Sequence, residues 1–193
     1  MNSAIDTKTH FILWKVCAWA GPVYCVTTVL SWAWIGKFLP PPREFWNAQE
    51  TYQFFLDNNL RIRVGMMLTV FFAPLYYIWS AATSRLMARI EGRDGVLSTV
   101  ELLGGFATVI VTFASCVAWL AASLHTDQKT PQDIKTLSDY GWMWFNPTLM
   151  VTTFQFLAFG TVFLLDRSAK PLMPKWMPWF TYAMTTTLLL ALL

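Results

Sequence analysis

Hydrophobic residues in this chain come in blocks rather than in alternation. Residues 11–38, 64–84, 99–124, 140–165 and 176–193 are nearly continuous apolar runs, and the stretches between them hold most of the charge. An α-helix rises about 1.5 Å per residue, so roughly 20 apolar residues cross a hydrocarbon core. Four of the runs reach that length and the last is marginal. A transmembrane barrel would instead show segments of about ten residues with alternating polarity, and no such alternation is present. Helices also satisfy their own backbone groups where no water is available. The pattern predicts an all-α integral membrane bundle of about five transmembrane helices, forming a single domain over residues 1–193.

The connections carry their own signals. Pro40, Pro41 and Pro42 should end the first span, because proline lacks the donor that a helix interior requires. After them, residues 44–56 mix Phe45, Trp46, Phe54 and Phe55 with Asn47, Gln49 and Glu50, which predicts a short interfacial helix between the first two spans. Arg85, Arg89 and Arg93 recur every four residues and share one helical face, a basic stripe suited to anionic lipid. Residues 125–139 read as a polar loop, and residues 166–178 as a link broken by prolines. Gly21-Pro22 and Pro74 suggest kinks. At the end, either the terminal carboxylate just reaches the far interface or the natural chain continues past Leu193.

Polar residues inside the spans fall on faces. In the third span Glu101, Gly105, Thr108, Thr112, Ser115, Trp119 and Ala122 are spaced by four and three, with Val, Ile, Phe and Leu opposite. Small residues let helix backbones approach closely within lipid, so this face is the expected packing seam. Gly65, Thr69, Ala73, Tyr76 and Ser80 form a parallel stripe in the second span; Cys17, Gly21, Cys25 and Thr28 do so in the first. In the fourth span Thr148, Thr152, Gln155 and Phe159 share a face, and Asn146 lies half a turn round. The helix there either begins at an Asn146 cap with Pro147 in its first turn, or begins near Asp139 and kinks at Pro147.

An ionisable side chain in a span is costly and points to function. Glu101 therefore heads the set of ligand-facing or polar-lining candidates, with Thr108, Thr112, Asn146, Thr152 and Gln155. A competing role exists for Glu101: "STVE" at residues 98–101 fits a capping box, and Arg85, Arg89 or Arg93 could pair with it.

Composition narrows the function. Only 13% of the 193 residues are charged while 55% are hydrophobic, against about 25% charged in soluble domains. The net charge of +3 is small and dispersed, so nothing points to nucleic acid. Orientation follows Lys and Arg: with the N-terminus cytoplasmic, eight of the 14 fall on short inner segments and six on longer outer ones. The first run is too long for a cleaved leader, and Asp6 weakens one. The expected location is a bacterial-type inner (plasma) membrane. Tryptophans at 14, 32, 34, 142, 144, 176 and 179 fit an interfacial belt, and buried thiols are expected of Cys17, Cys25 and Cys116. His10 and His125 fall on opposite sides, no metal-ligand spacing occurs, and no phosphate loop or catalytic triad is present. No cofactor or metal is implied.

The leading expectation is a non-enzymatic membrane protein, either an accessory subunit of a membrane complex or a binder of hydrophobic, lipid-like molecules. Its partners would be the bilayer and other membrane subunits or a second copy. The alternative is a small-molecule transporter or channel with a path past Glu101 and Gln155. A third reading, an enzyme acting on lipids, would need Glu44 or Glu50 clustered with Arg61 or Arg63.

Overall fold

The computed structural model describes residues 7–42, 45–92 and 94–190. Every regular element among them is helical, with no strand: α1 (Thr7–Thr28), α2 (Ala48–Asp57), α3 (Asn59–Phe72), α4 (Pro74–Glu91), α5 (Val96–Ser123), α6 (Pro131–Leu164) and α7 (Trp176–Leu190). Four helical stretches, Lys8–Ile35, Asn59–Glu91, Val96–Ser123 and Pro131–Leu164, are long and apolar enough to cross a membrane. The fifth expected span is α7, whose 15 described residues rise only about 22 Å.

Several boundaries differ from expectation. The first helix runs unbroken through Pro22, widens into a π-helical segment at Val29–Ile35, and stops before the three prolines. Its last turn closes when the Gly36 amide donates to Ser31 O, and Lys37 takes a positive φ of 63°. Backbone turned left-handed there cannot continue a right-handed helix. Pro74 does interrupt the second span: α3 ends at Phe72 and α4 starts at the proline itself. The segment expected to be interfacial contains α2, started by Asn47, whose side chain accepts from the Glu50 amide while Glu50 accepts from the Asn47 amide.

The largest correction is α6. Neither the Asn146 start nor the Asp139 start is adopted, and most of the expected polar loop is helix. Thr130 and Asp133 cap each other, amide to side chain, at 3.1 and 3.2 Å. Pro131 fills the first helical position, where a missing donor costs nothing. The helix consequently runs 34 residues.

The described residues fall into two compact units. The first takes in residues 1–23, 75–107 and 149–193, and its core is Met87, Ala158, Phe159, Val162 and Phe163. The second takes in residues 24–74 and 108–148. Its core centres on Trp119, which is fully buried and stacks among Trp32, Phe38, Trp142 and Phe145 with ring centroids 4.6–6.5 Å apart. Trp32 and Trp142, both half-buried, are thus part of an aromatic cluster. Gly65 lets α3 approach the π-helical segment, since a Cβ there would meet Ser31 O and the Gly36 backbone. Ser31 Oγ and Thr69 Oγ1 close that approach at 2.9 Å.

The expected seam of α5 is the buried side: Glu101, Gly105, Thr108, Ser115, Trp119 and Ala122 are buried and Thr112 half-buried. Leu103, Phe106, Ile110 and Val117 are exposed. The stripe Gly65, Thr69, Ala73, Tyr76 and Ser80 is buried throughout. The first helix departs: Cys25 is exposed and Cys17 half-buried, while Ala20, Gly21 and Ser31 are buried. Its inner face follows a narrower track than the cysteines.

Candidate functional site

Within the first unit, three helices deliver polar side chains to one buried point. Tyr76 and Ser80 stand one turn apart on α4, a spacing that puts both on one face. Glu101 comes from α5 and Gln155 from α6. Glu101 is 0% exposed and Gln155 1%, so their polar atoms have no water to turn to.

Two adjacent glycines make the meeting possible. A Cβ on Gly105 would collide with the Ser80 side chain, and one on Gly104 would press on Cβ of Gln155. One glycine therefore opens α5 toward Ser80, and the other opens it toward α6.

The resulting hydrogen bonds can be counted atom by atom. Gln155 Nε2 donates to Glu101 Oε1 at 3.0 Å, and Tyr76 OH donates to Gln155 Oε1 at 3.0 Å. Ser80 Oγ lies 3.1 Å from both Glu101 Oε2 and the Glu101 carbonyl oxygen. If Ser80 donates to the carbonyl, its lone pairs remain for a proton carried on Oε2. Each side-chain polar atom of the four then has at least one partner, which a buried network needs in order to be stabilising.

The capping-box expectation for Glu101 is overturned. It forms no capping box with Ser98: Glu91 instead accepts from the Leu97 amide, the Ser98 amide and Ser98 Oγ at 2.8–2.9 Å, and so starts α5. It also forms no ion pair with Arg85 or Arg89; Arg93, the third candidate, lies outside the described residues. The physical reason is depth, since α5 already begins at Val96 and places Glu101 in its second turn.

Of the sequence candidates, Glu101 and Gln155 come together. Thr152, one turn earlier on α6, is half-buried in the same unit. Thr108, Thr112 and Asn146 belong to the second unit. There Thr112 donates to the Thr108 carbonyl at 2.8 Å, and Asn146 is exposed beside a cavity of about 400 Å³ that Lys135 and Asp139 also line. Tyr76, Ser80 and Gly104 were missed as members of the site. The first two were visible in the stripe of the second span, but nothing in the sequence said which stripe meets which.

The lipid-enzyme constellation does not assemble among the described residues. Glu50 is committed to its helix cap, and Arg61 reaches the carbonyls of Trp34 and Ile35; Glu44 lies outside the described residues. No three His, Cys, Asp or Glu side chains converge as a metal site among the described residues.

A second feature of the first unit is a groove of about 290 Å³ lined by Trp79, Phe156, Phe159, Met177, Phe180, Thr181 and Met184. Its walls follow from local packing. Gly21 leaves room for the Trp79 ring, which a Cβ would strike. Gly160 lets Tyr182 approach α6, where Thr161 Oγ1 and Tyr182 OH meet at 2.9 Å and fix α7. The Thr181 hydroxyl donates to its own helix at Met177 O. That leaves the groove nearly all apolar in character.

Compared with known protein families, curated proteins and solved structures, the chain shows no match.

Proposed function

We propose that this chain is a multi-pass integral membrane protein with a binding role rather than a catalytic one, and that it holds an apolar, chain-bearing molecule in the groove of its first unit. Four helices long and apolar enough to cross a membrane support the setting, as do large exposed apolar side chains along them, such as Phe71 and Phe106. The groove itself carries the reading. Its volume falls just under that of ligand pockets, which run roughly 300–1,000 Å³, and six of its seven lining residues are aromatic or methionine. Methionine adapts its shape to an irregular apolar guest. The transport alternative is less well supported, because Glu101 and Gln155 direct their polar atoms at each other and at Ser80 and Tyr76.

The test is photolabelling in vesicles with a diazirine-bearing fatty acid, the adducts mapped by mass spectrometry. Adducts should concentrate on Met177, Phe180 and Met184 and disappear in the groove-filling variant Thr181→Trp. Labelling spread evenly over the groove and over Phe71 and Phe106, which are 74% and 55% exposed, would mean ordinary lipid contact and no site.

A further inference from the structure

At one end of the first unit a different surface forms, where the last turn of α4 meets the link that follows α6. Arg89, Arg167 and Lys170 border a cavity of about 470 Å³ whose other lining includes Ile90, Leu165 and Leu172. Three cations in one cavity ordinarily attract carboxylates. Here the carboxylates on hand are engaged elsewhere.

Asp166 accepts from the Ser168 amide at 2.9 Å and from the Leu172 amide at 3.0 Å, so it shapes the link that carries Arg167 and Lys170. Those bonds, with the Ser168 side chain, hold its carboxyl below the usual range. Glu91 is turned to the start of α5 by the three bonds from Leu97 and Ser98. Arg167 and Lys170 make no hydrogen bond or ion pair with a described residue; the single ion pair among these, Lys135–Asp139, belongs to the second unit. Arg89 lies with its guanidinium 5.2 Å from the Trp14 ring centroid. Stacking of that kind leaves the planar edge free to donate. Counting Asp166, the cavity carries three positive charges against one negative.

Location selects the anion. Arg89 sits in the last turn of a stretch long and apolar enough to cross a membrane, and Leu165 directly follows another, Pro131–Leu164. A cationic cavity with apolar walls at such helix ends matches a phosphate attached to acyl chains, and basic pockets at these positions bind anionic headgroups. Guanidinium groups also match phosphate oxygens two at a time.

We infer that the Arg89–Arg167–Lys170 cavity is a headgroup site for an anionic phospholipid, with Ile90, Leu165 and Leu172 receiving the start of its chains. The site uses other residues than the apolar groove and stands whether or not that groove is filled.

The experiment measures relative retention of phosphatidylglycerol and phosphatidylcholine by the full chain in detergent, using native mass spectrometry. Wild type should favour phosphatidylglycerol, with a preference that weakens as salt rises. In Arg167→Gln/Lys170→Gln the preference should fall about thirty-fold, the loss of two headgroup-facing cations. Arg167→Lys/Lys170→Arg keeps the charges and should keep the preference. Lys129→Gln/Lys135→Gln, in the second unit, should leave it unchanged. Equal retention of both lipids by wild type, or an undiminished preference in the Arg167→Gln/Lys170→Gln variant, would overturn the inference.

Discussion

Replacing Gln155 by leucine isolates the polar cluster. The change removes the donor to Glu101 Oε1 and the acceptor for Tyr76 OH, two bonds that join different helices, while nearly conserving volume. In water-soluble cores each orphaned polar group costs about 1–3 kcal/mol. In membranes the unfolded helices also find partners, and such bonds average about 0.6 and reach about 1.7 kcal/mol. For the membrane protein proposed above, the membrane figures apply and give a loss of roughly 1–3 kcal/mol for Gln155→Leu. Glu101→Gln should differ, since its amide can donate to Ser80 Oγ while its oxygen accepts from Gln155; stability within about 0.5 kcal/mol of wild type is expected. The decisive variant is Tyr76→Phe/Glu101→Leu/Gln155→Leu. It leaves Ser80 Oγ with the carbonyl of residue 101 and removes both ends of the Tyr76–Gln155 and Gln155–Glu101 bonds, so it should recover most of the single-variant loss. Unfolding free energies would be read in mixed micelles by denaturing-detergent titration or steric trapping. A Gln155→Leu protein as stable as wild type, or a triple variant as poor as the summed single changes, would refute the accounting.

Two further outcomes follow from neighbouring features. Gly65→Ala should cost more than Gly105→Ala in a thermal-unfolding comparison, because its Cβ meets the Ser31 and Gly36 backbone while that of Gly105 meets the Ser80 side chain; overpacking of this kind costs about 1–3 kcal/mol, and equal melting temperatures would contradict the geometry. Asp166 has a depressed carboxyl pKa, so its contribution to the link is complete above the unfolded value of 3.8 and lost as pH falls through the folded value. Pepsin cleavage within residues 166–175 should therefore rise below that pH in wild type, whereas Asp166→Ala should be cut readily at pH values where wild type resists.

Much of the architecture was legible because a twenty-residue apolar run has few alternatives to a helix. The inner faces of the second and third spans were legible as well: spacings of three and four placed Ser80 and Glu101 on buried sides without knowledge of any partner. The pairing of Glu101 with Gln155 was not legible. It depends on which helices adjoin and on Gly104, whose missing side chain matters only once α6 lies against it. The start of α6 was encoded in Thr130-Pro131-Gln132-Asp133 but masked by the polarity of the residues after it, since hydropathy marks where lipid begins and capping marks where a helix begins. The ring cluster of Trp32 and Trp142 was not legible for a related reason: an indole suits both a headgroup layer and a ring cluster, and only the fold shows the second.

The length of α6 has a mechanical consequence. Its 34 residues extend about 51 Å, and a hydrocarbon core is about 30 Å thick. Tilting would have to exceed about 50° to hide all of it, beyond the 0–40° range of such helices. In a helix that crosses a membrane, some 10 Å or more would stand clear of the oil, and the polar turns from Gln132 to Asp139 are the part suited to do so. Anything that grips the protein from that side would find a firm handle in those turns.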